Sequence, residues 1–415
     1  MSEKKSESES CFDNTDAAGT VSLACAGNMV ESYLDNAATT KPYPEVIDVV
    51  CEVMRKSYGN ASAQYARGKH AHDLLEQARA VVADALGVDA REVYFTSGGT
   101  ESNNLAIVGA CRAARPERDE IVVSAIEHPS VTKTTRGLKR EGWKVSYVGA
   151  NRGDLDMETL KARLNPKTAL ITVMSVQNEV GFRMPVADVV RARDELAPGA
   201  LVHTDAVQAF GKMPFYPREL GVDLASMSAH KVGGPQGIGA LYVREGTHMF
   251  TTAFGGGHER GLRSGTEAIA LIAGFAKAVE ITFAHIHETY ERASLLKERL
   301  LDGVLSLRPD TIVNSRDDGS PFIVSISVPG MKNDDMLAFL DKRGVCVSKS
   351  SACETLHPDV PDEDWLTKHP MSLQLAGVPK DMVESTLRMS FSAQTTEDDI
   401  VRFVEGFRAF FSECH

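Results

Sequence analysis

The chain has 415 residues, 43% hydrophobic and 25% charged, with a formal net charge of −12. That length serves one large core plus a smaller one, the absence of a long basic run excludes a nucleic-acid footprint, and no apolar run approaches the roughly 20 residues that span a bilayer. The cysteines, at 11, 25, 51, 111, 346, 353 and 414, are odd in number, scattered and without a Cys-x-x-Cys pair, which excludes a disulfide framework and a structural zinc site and predicts a reducing, cytoplasmic setting with no metal.

Residues 1–30 are polar and charged apart from a short apolar patch over 21–26; they read as a disordered tail and not as a secretory signal. The folded part opens at Tyr33-Leu34-Asp35-Asn36-Ala37-Ala38-Thr39-Thr40. Helices are predicted over 45–56, introduced by Pro42 and Pro44, and over 69–86, closed by Gly87. Strands then alternate with helices: strands over 92–96, 121–125, 143–148, 169–175, 201–204, 224–227 and 239–244, helices over 100–114, 129–141, 157–164 and 186–196. This alternation predicts an α/β fold with a mainly parallel sheet covered on both faces. A long helical stretch over 269–307, broken or continuous, leads to a smaller α+β part with strands over 322–328, 345–349 and 387–392 and helices over 334–342 and 396–413. The predicted domains are therefore a large one over 31–268, whose first segment contributes to the small domain, and a linking helix with a small C-terminal domain over 269–415.

In parallel sheets ligands bind beyond the carboxyl ends of the strands, and the polar motifs fall there. Ser97-Gly98-Gly99-Thr100 ends a strand and opens a helix, whose unpaired N–H groups suit a phosphate; the Gly-Lys-Ser/Thr ending of a Walker loop is missing. His128 ends the next strand and can stack on a flat ring or move a proton. Asn178 follows another strand, and Asp205 closes a buried one, where a carboxylate requires a partner such as a pyridinium N–H. The run Val222-Asp223-Leu224-Ala225-Ser226-Met227-Ser228-Ala229-His230-Lys231 then delivers a lysine into a glycine-rich turn. A lysine beside buried or cationic groups becomes a nucleophile. A phosphate cradle, a ring-stacking His, an Asp and a Lys on successive strands suggest pyridoxal 5'-phosphate (PLP).

From about residue 33 onward the chain resembles the cysteine desulfurases of the NifS/IscS-like group, within the class V, fold-type-I PLP enzymes. The matching stretches are the opening motif at 33–40, Ser97 to Asn104, Asn178-Glu179-Val180-Gly181, His203-Thr204-Asp205-Ala206-Val207-Gln208 and Ser228-Ala229-His230-Lys231. They continue with the glycine-rich run at 255–266, Ser351-Ala352-Cys353 and Leu387-Arg388-Met389-Ser390. The resemblance implies a PLP fold-type-I large domain and a smaller α+β domain. It implies that Lys231 holds PLP, His128 stacks on the ring, Asp205 bonds the ring nitrogen and Gln208 the phenolic oxygen. Gly99, Thr100, Ser228 and His230 would hold the phosphate, with Thr266 reaching over from a second subunit of a homodimer. Asn36, Asn178 and Arg388 would bind the substrate, Arg388 through its carboxylate, and Asn178 would also touch the cofactor.

The activity implied is conversion of L-cysteine to L-alanine, with a persulfide formed on Cys353 and passed to an acceptor protein such as an iron-sulfur scaffold. Cys353, Lys231 and His128 would be the catalytic residues. The chain departs from the group at Asn60-Ala61-Ser62-Ala63, at Tyr65, at Ser348-Lys349-Ser350-Ser351 before the cysteine, and at Ser392-Ala393-Gln394. A loop over 354–370 carries Asp359, Asp362, Glu363, Asp364 and Trp365, and its composition predicts mobility. The alternatives left open are a selenocysteine lyase, a cysteine-sulfinate desulfinase and a non-catalytic sulfur-trafficking scaffold.

Overall fold

Short apolar runs set between amphipathic helices pair edge to edge and bury both faces of the sheet they form. The computed structural model describes residues 31–151, 154–349 and 372–413. The tail over 1–30, Cys353, Cys414 and the loop over 354–370 with Trp365 lie outside the described residues. The chain runs β1 (Ser32–Tyr33), α1 (Pro44–Lys56), α2 (Ala66–Leu86), β2 (Val93–Thr96), α3 (Gly99–Ala114), β3 (Glu120–Ser124), α4 (Pro129–Arg140) and β4 (Lys144–Val148). A hairpin, β5 (Ala150–Asn151) and β6 (Asp154–Leu155), leads to α5 (Met157–Arg163), β7 (Thr168–Thr172), α6 (Val186–Leu196), β8 (Leu201–Asp205), α7 (Pro217–Leu220), β9 (Leu224–Ser228) and β10 (Gly239–Val243). Beyond these come α8 (Ile269–Ala284), α9 (Ile286–Leu307), β11 (Ile312–Val313), β12 (Ile323–Ser327), α10 (Asn333–Asp341), β13 (Val345–Cys346), α11 (Ser372–Leu375), β14 (Thr386–Ser390) and α12 (Glu397–Glu413).

A seven-stranded sheet has the order β2-β10-β9-β8-β7-β3-β4. Strand β10 is antiparallel to both neighbours and the remaining pairs are parallel. The carboxyl ends of β2, β3, β7, β8 and β9 therefore share one edge. A three-stranded antiparallel sheet, β11-β12-β14, has its own apolar cluster of Leu296, Leu300, Phe322, Met389, Phe403 and Phe407. Leu34, from the start of the folded chain, packs into that second cluster, and β1 pairs in parallel with β13. The α/β architecture with a mainly parallel sheet and a small C-terminal sheet is the one the sequence predicts.

The differences are local. Helix α2 starts at Ala66, ahead of the expected 69, because Gly68 fits into the first turn against Ala63; a Cβ there would lie 2.2 Å from the Ala63 carbonyl oxygen. The stretch 269–307 is two helices bent by 71°. His285 between them has non-helical angles (φ −129°, ψ 21°). In the last turn of α8, Thr282 donates its hydroxyl to the Val232 carbonyl at 3.1 Å and so anchors the loop after β9. Only Val345–Cys346 of the expected 345–349 strand pairs as a ladder, although Ser348 still exchanges two backbone hydrogen bonds with Arg388, of 3.0 and 2.7 Å. Among the described residues no single helix is long and apolar enough to cross a membrane.

Candidate active site

The shared strand edge opens into a cavity of about 590 Å³. Its wall near β2 is the start of α3. Gly98 has φ 149°, a conformation that favours glycine, and a Cβ on Gly99 would lie 2.8 Å from Val207 Cγ2. Glycine at both positions lets the backbone come down onto the cavity, where the first N–H groups of a long helix lack intrahelical partners. Glu101 does not compete for that space, because its carboxylate takes the Ser97 N–H at 2.6 Å and the Arg263 guanidinium at 2.8 Å. Thr100, Ser228 and His230 also line the cavity, and Ser228 Oγ would lie 3.8 Å from a Cβ on Gly98.

Asp205 ends β8 and is buried. Its Oδ2 accepts from Asn103 Nδ2 at 2.7 Å and its Oδ1 from the Val207 N–H at 3.0 Å, so the carboxylate is held by neutral donors and keeps a face on the cavity. Asn103 Nδ2 also reaches Ser130 Oγ at 2.8 Å. His128 caps α4: its Nδ1 accepts from the Ser130 N–H at 3.1 Å, which leaves the ring hydrogen on Nε2. Burial pushes this imidazole below its ordinary value, with the Asp205 charge opposing and the Lys231 charge reinforcing. The ring is neutral at physiological pH.

Lys231 sits in the turn after β9. Gly233 makes the turn possible: it has φ 75°, and a Cβ there would fall 2.4 Å from the Tyr43 ring. Lys231 Nζ donates to the Ala37 and Ala38 carbonyls at 2.5 Å each, and Gln208 Nε2 donates to the same Ala37 carbonyl at 3.0 Å. Arg388, on β14, enters from the small sheet. Its guanidinium bonds the Asn178 carbonyl at 3.0 Å and Asp35 Oδ1 at 2.8 Å, and its buried Nε has no hydrogen-bond partner among the described residues.

Gly99, Thr100, His128, Asn178, Asp205, Gln208, Ser228, His230, Lys231 and Arg388 all line this one cavity. Asn36 and Thr266 do not. Asn36 is buried beside it with its amide committed to the Tyr33 and Ser390 carbonyls, at 3.0 and 2.9 Å. Thr266 is exposed, past the loop that contains Glu259–Gly261. Cys353 lies outside the described residues. Sequence reasoning missed Asp35, Asn103, Glu127 and Lys212. Asn103 stands one helical turn past the glycines, on the face that must meet the sheet. Glu127 precedes His128: its Oε1 accepts the Met174 N–H at 2.6 Å, and its buried Oε2 has no hydrogen-bond partner among the described residues. Burial, with the Asp205 charge adding, pushes its carboxyl up to about 8 against the Met174 hydrogen bond.

The donor set fits a flat, phosphorylated heteroaromatic aldehyde. A helix start and hydroxyls meet the phosphate, a carboxylate held by neutral donors suits a ring N–H⁺, a neutral imidazole suits the ring face and a lysine amine the aldehyde. The Arg388 guanidinium lines the cavity as a cation suited to a substrate carboxylate.

The sequence model of the aminotransferase class-V family matches residues 32–403. The chain is 36% identical over 377 residues to a cysteine desulfurase of Trichormus azollae, spanning 90% of this chain and 91% of that protein. It is 34% identical over 396 residues to the cysteine desulfurase IscS of Methanosarcina thermophila, spanning 92% and 93%. A solved structure named a NifS-like protein superposes with a TM-score of 0.85 at 32% identity, covering 92% of this chain and all of that one.

Proposed function

The chain belongs to the aminotransferase class-V family, and from that premise we propose that it is a cysteine desulfurase: L-cysteine and a protein thiol give L-alanine and a protein persulfide. PLP is the cofactor this family implies. The observation that carries the reading is that Lys231, Asp205, His128, the start of α3 and Arg388 all line one cavity.

When bound, the cofactor supplies an electron sink for charge left on the substrate Cα. Lys231 Nζ would anchor the cofactor and take the Cα proton, a reading supported by its position in the cavity lining. Asp205 would keep a proton on the ring nitrogen, because among the described residues its carboxylate is hydrogen-bonded to neutral donors and would favour a cationic neighbour. His128, a neutral imidazole lining the cavity, would cover the ring and could pass a proton through Nε2. Arg388 orients the substrate carboxylate, and Asp35 with the Asn178 carbonyl holds the guanidinium still for that task. Gln208 and Asn178 complete the polar wall; Ser228, His230, Gly99 and Thr100 take the phosphate. Cys353 is the proposed sulfur acceptor, its thiolate taking the substrate sulfur as the Cβ–S bond breaks.

A homodimer with Thr266 completing the neighbour's phosphate site, delivery to an acceptor such as an iron-sulfur scaffold, and a cytoplasmic location belong to the same proposal. Incubation with L-cysteine is expected to yield alanine, with the added sulfur on the peptide that contains Cys353. Cys353→Ser is expected to bind PLP and cysteine yet release little alanine. Full desulfurase activity in that variant, or the added sulfur on another cysteine, would overturn the assignment.

A further inference from the structure

Among the described residues that line the cavity, the lysine and arginine side chains are Lys231 and Arg388. Lys231 is the amine suited to the aldehyde. Arg388 enters from the small sheet and is held on Asp35 and the Asn178 carbonyl. His230 lines the cavity too, but burial, with the Lys231 and Lys212 charges adding, pushes it down to about 4, so it is neutral. The cradle at the start of α3 is therefore built from neutral donors, backbone N–H groups and hydroxyls. Glu101 stands among them: it lies in the first turn of α3 and lines the same cavity. Burial works to raise its carboxyl, yet the hydrogen bonds from Arg263 and Ser97 and the Arg263 charge hold it below the ordinary carboxylate range. It is ionised at neutral pH. A full negative charge beside a site for a phosphate dianion weakens binding unless it is cancelled.

Arg263 is placed to cancel it. Its Nε donates to Glu101 Oε1 at 2.8 Å and its Nη2 to Oε2 at 3.2 Å, a fork that matches the carboxylate edge. Oε2 also takes the Ser97 N–H at 2.6 Å, which ties the carboxylate to the turn between β2 and α3. Glu101 holds the Arg263 guanidinium above its ordinary value, ahead of the weaker Glu259 and Glu267 charges. Arg263 belongs to the glycine-rich loop at 255–266, and a bridge between Ala253 and Arg263 sets the path of that loop. Gly265 leaves the guanidinium its room: it has φ 131°, and a Cβ there would lie 3.3 Å from Arg263 Nη1.

We propose that Arg263 is a positioning residue for the phosphate cradle: by forking onto both Glu101 oxygens it pins that carboxylate to the β2–α3 turn and cancels its charge, so that a cradle of neutral donors accepts a phosphate dianion. The inference rests on the start of α3 being the site of the cofactor's phosphate.

The test measures binding of PLP, pyridoxal and inorganic phosphate to the full-length protein freed of cofactor, by calorimetry at neutral pH. Pyridoxal lacks the phosphate and reports everything but the cradle. Arg263→Gln is expected to weaken PLP and inorganic phosphate about tenfold and to leave pyridoxal within about twofold of wild type. Glu101→Gln, whose amide oxygen still accepts the Ser97 N–H, is expected to bind PLP at least as tightly as wild type. Glu101→Gln combined with Arg263→Gln is expected to restore near-wild-type PLP binding. Arg263→Lys keeps the charge and loses the fork; its milder loss should be erased by the same Glu101→Gln change, so the rescue is measurable even if the neutral variant folds poorly. A pair that only tethers the loop would make Glu101→Gln as damaging as Arg263→Gln and the double variant no better, and that result would overturn the proposal. So would equal losses of PLP and pyridoxal binding in Arg263→Gln. Wild-type protein that binds pyridoxal as tightly as PLP would remove the phosphate cradle itself, and the inference with it.

Discussion

Buried charge is handled in opposite ways at two places in this molecule. Behind the sheet, Arg79 is 2% exposed and fully satisfied: it grips both Glu259 oxygens at 2.7 and 3.0 Å and the Val93 carbonyl at 2.9 Å. Glu259 also takes the Phe95 N–H at 2.9 Å. Arg193 and Asp223 repeat the pattern at 2.7 Å, with the Ala200 carbonyl and the Val202 N–H closing the set. At the cavity the groups are left short. Glu127 Oε2, Asn103 Oδ1 and Arg388 Nε are buried without hydrogen-bond partners among the described residues, and Lys212 has an amide where Arg79 has a carboxylate. The first arrangement ties elements together. It even holds Glu259 and Arg260 at φ 48° and 54°, which non-glycine residues rarely adopt. The second leaves buried polar atoms unpaired beside the cavity, at a cost in stability.

The sharpest way to break this contrast is to substitute one carboxylate from each place. Asp205→Asn should lower turnover by roughly two to three orders of magnitude, because an amide cannot pair with a protonated ring and losing one partner of a buried pair costs about 3–5 kcal/mol. Its cofactor-free form should melt close to wild type. Steady-state kinetics beside calorimetry would check both halves. Glu259→Gln should behave in the reverse sense. It leaves Arg79 buried beside a neutral amide and should cost about 3–5 kcal/mol in denaturant unfolding. The pH profile of the surviving folded enzyme should not move.

Glu127→Gln probes the under-satisfied side more gently. The folded carboxyl is raised to about 8, above an unfolded value of about 4.3. Its contribution to stability is therefore fully present below about pH 4 and is lost as pH rises toward about 8, because the unfolded chain releases that proton first. Wild-type cofactor-free protein should lose on the order of a few kcal/mol across this window from this group. Glu127→Gln should lack that component, and urea midpoints measured across the window would reveal it. The smallest effect belongs to the exposed Lys56–Glu52 pair, 2.9 Å apart on α1. Lys56→Ala should change stability by no more than about 0.5 kcal/mol, and a larger shift by calorimetry would show that surface charge counts for more here than the contrast allows.

Much of the site could be read in advance because strand ends are visible in a sequence. His128, Asp205 and Lys231 each close an apolar run, and a parallel sheet brings such ends to one edge regardless of the spacing between them. The glycines before α3 and after Lys231 were legible for the same reason, since a backbone that must turn or come close leaves a compositional trace. Asn36 shows the limit. Its motif points to the cavity, yet Tyr33 and Ser390 claim its amide, and no local pattern announces a partner more than 350 residues away.

What the amino-acid order determined by itself was the alternation of strand and helix, the edge on which chemistry gathers and the residue types delivered there, because periodicity and turn chemistry are local. What only the tertiary structure decided was which of those groups are satisfied. Glu127 and Glu259 are the same residue type, both buried. One meets Arg79 from a helix 180 positions earlier, and the other meets the Met174 N–H, the Ser124 side chain and the charge of Asp205. Protonation and pairing follow from what the fold packs against a carboxyl group, and that is set by contacts distant in the chain.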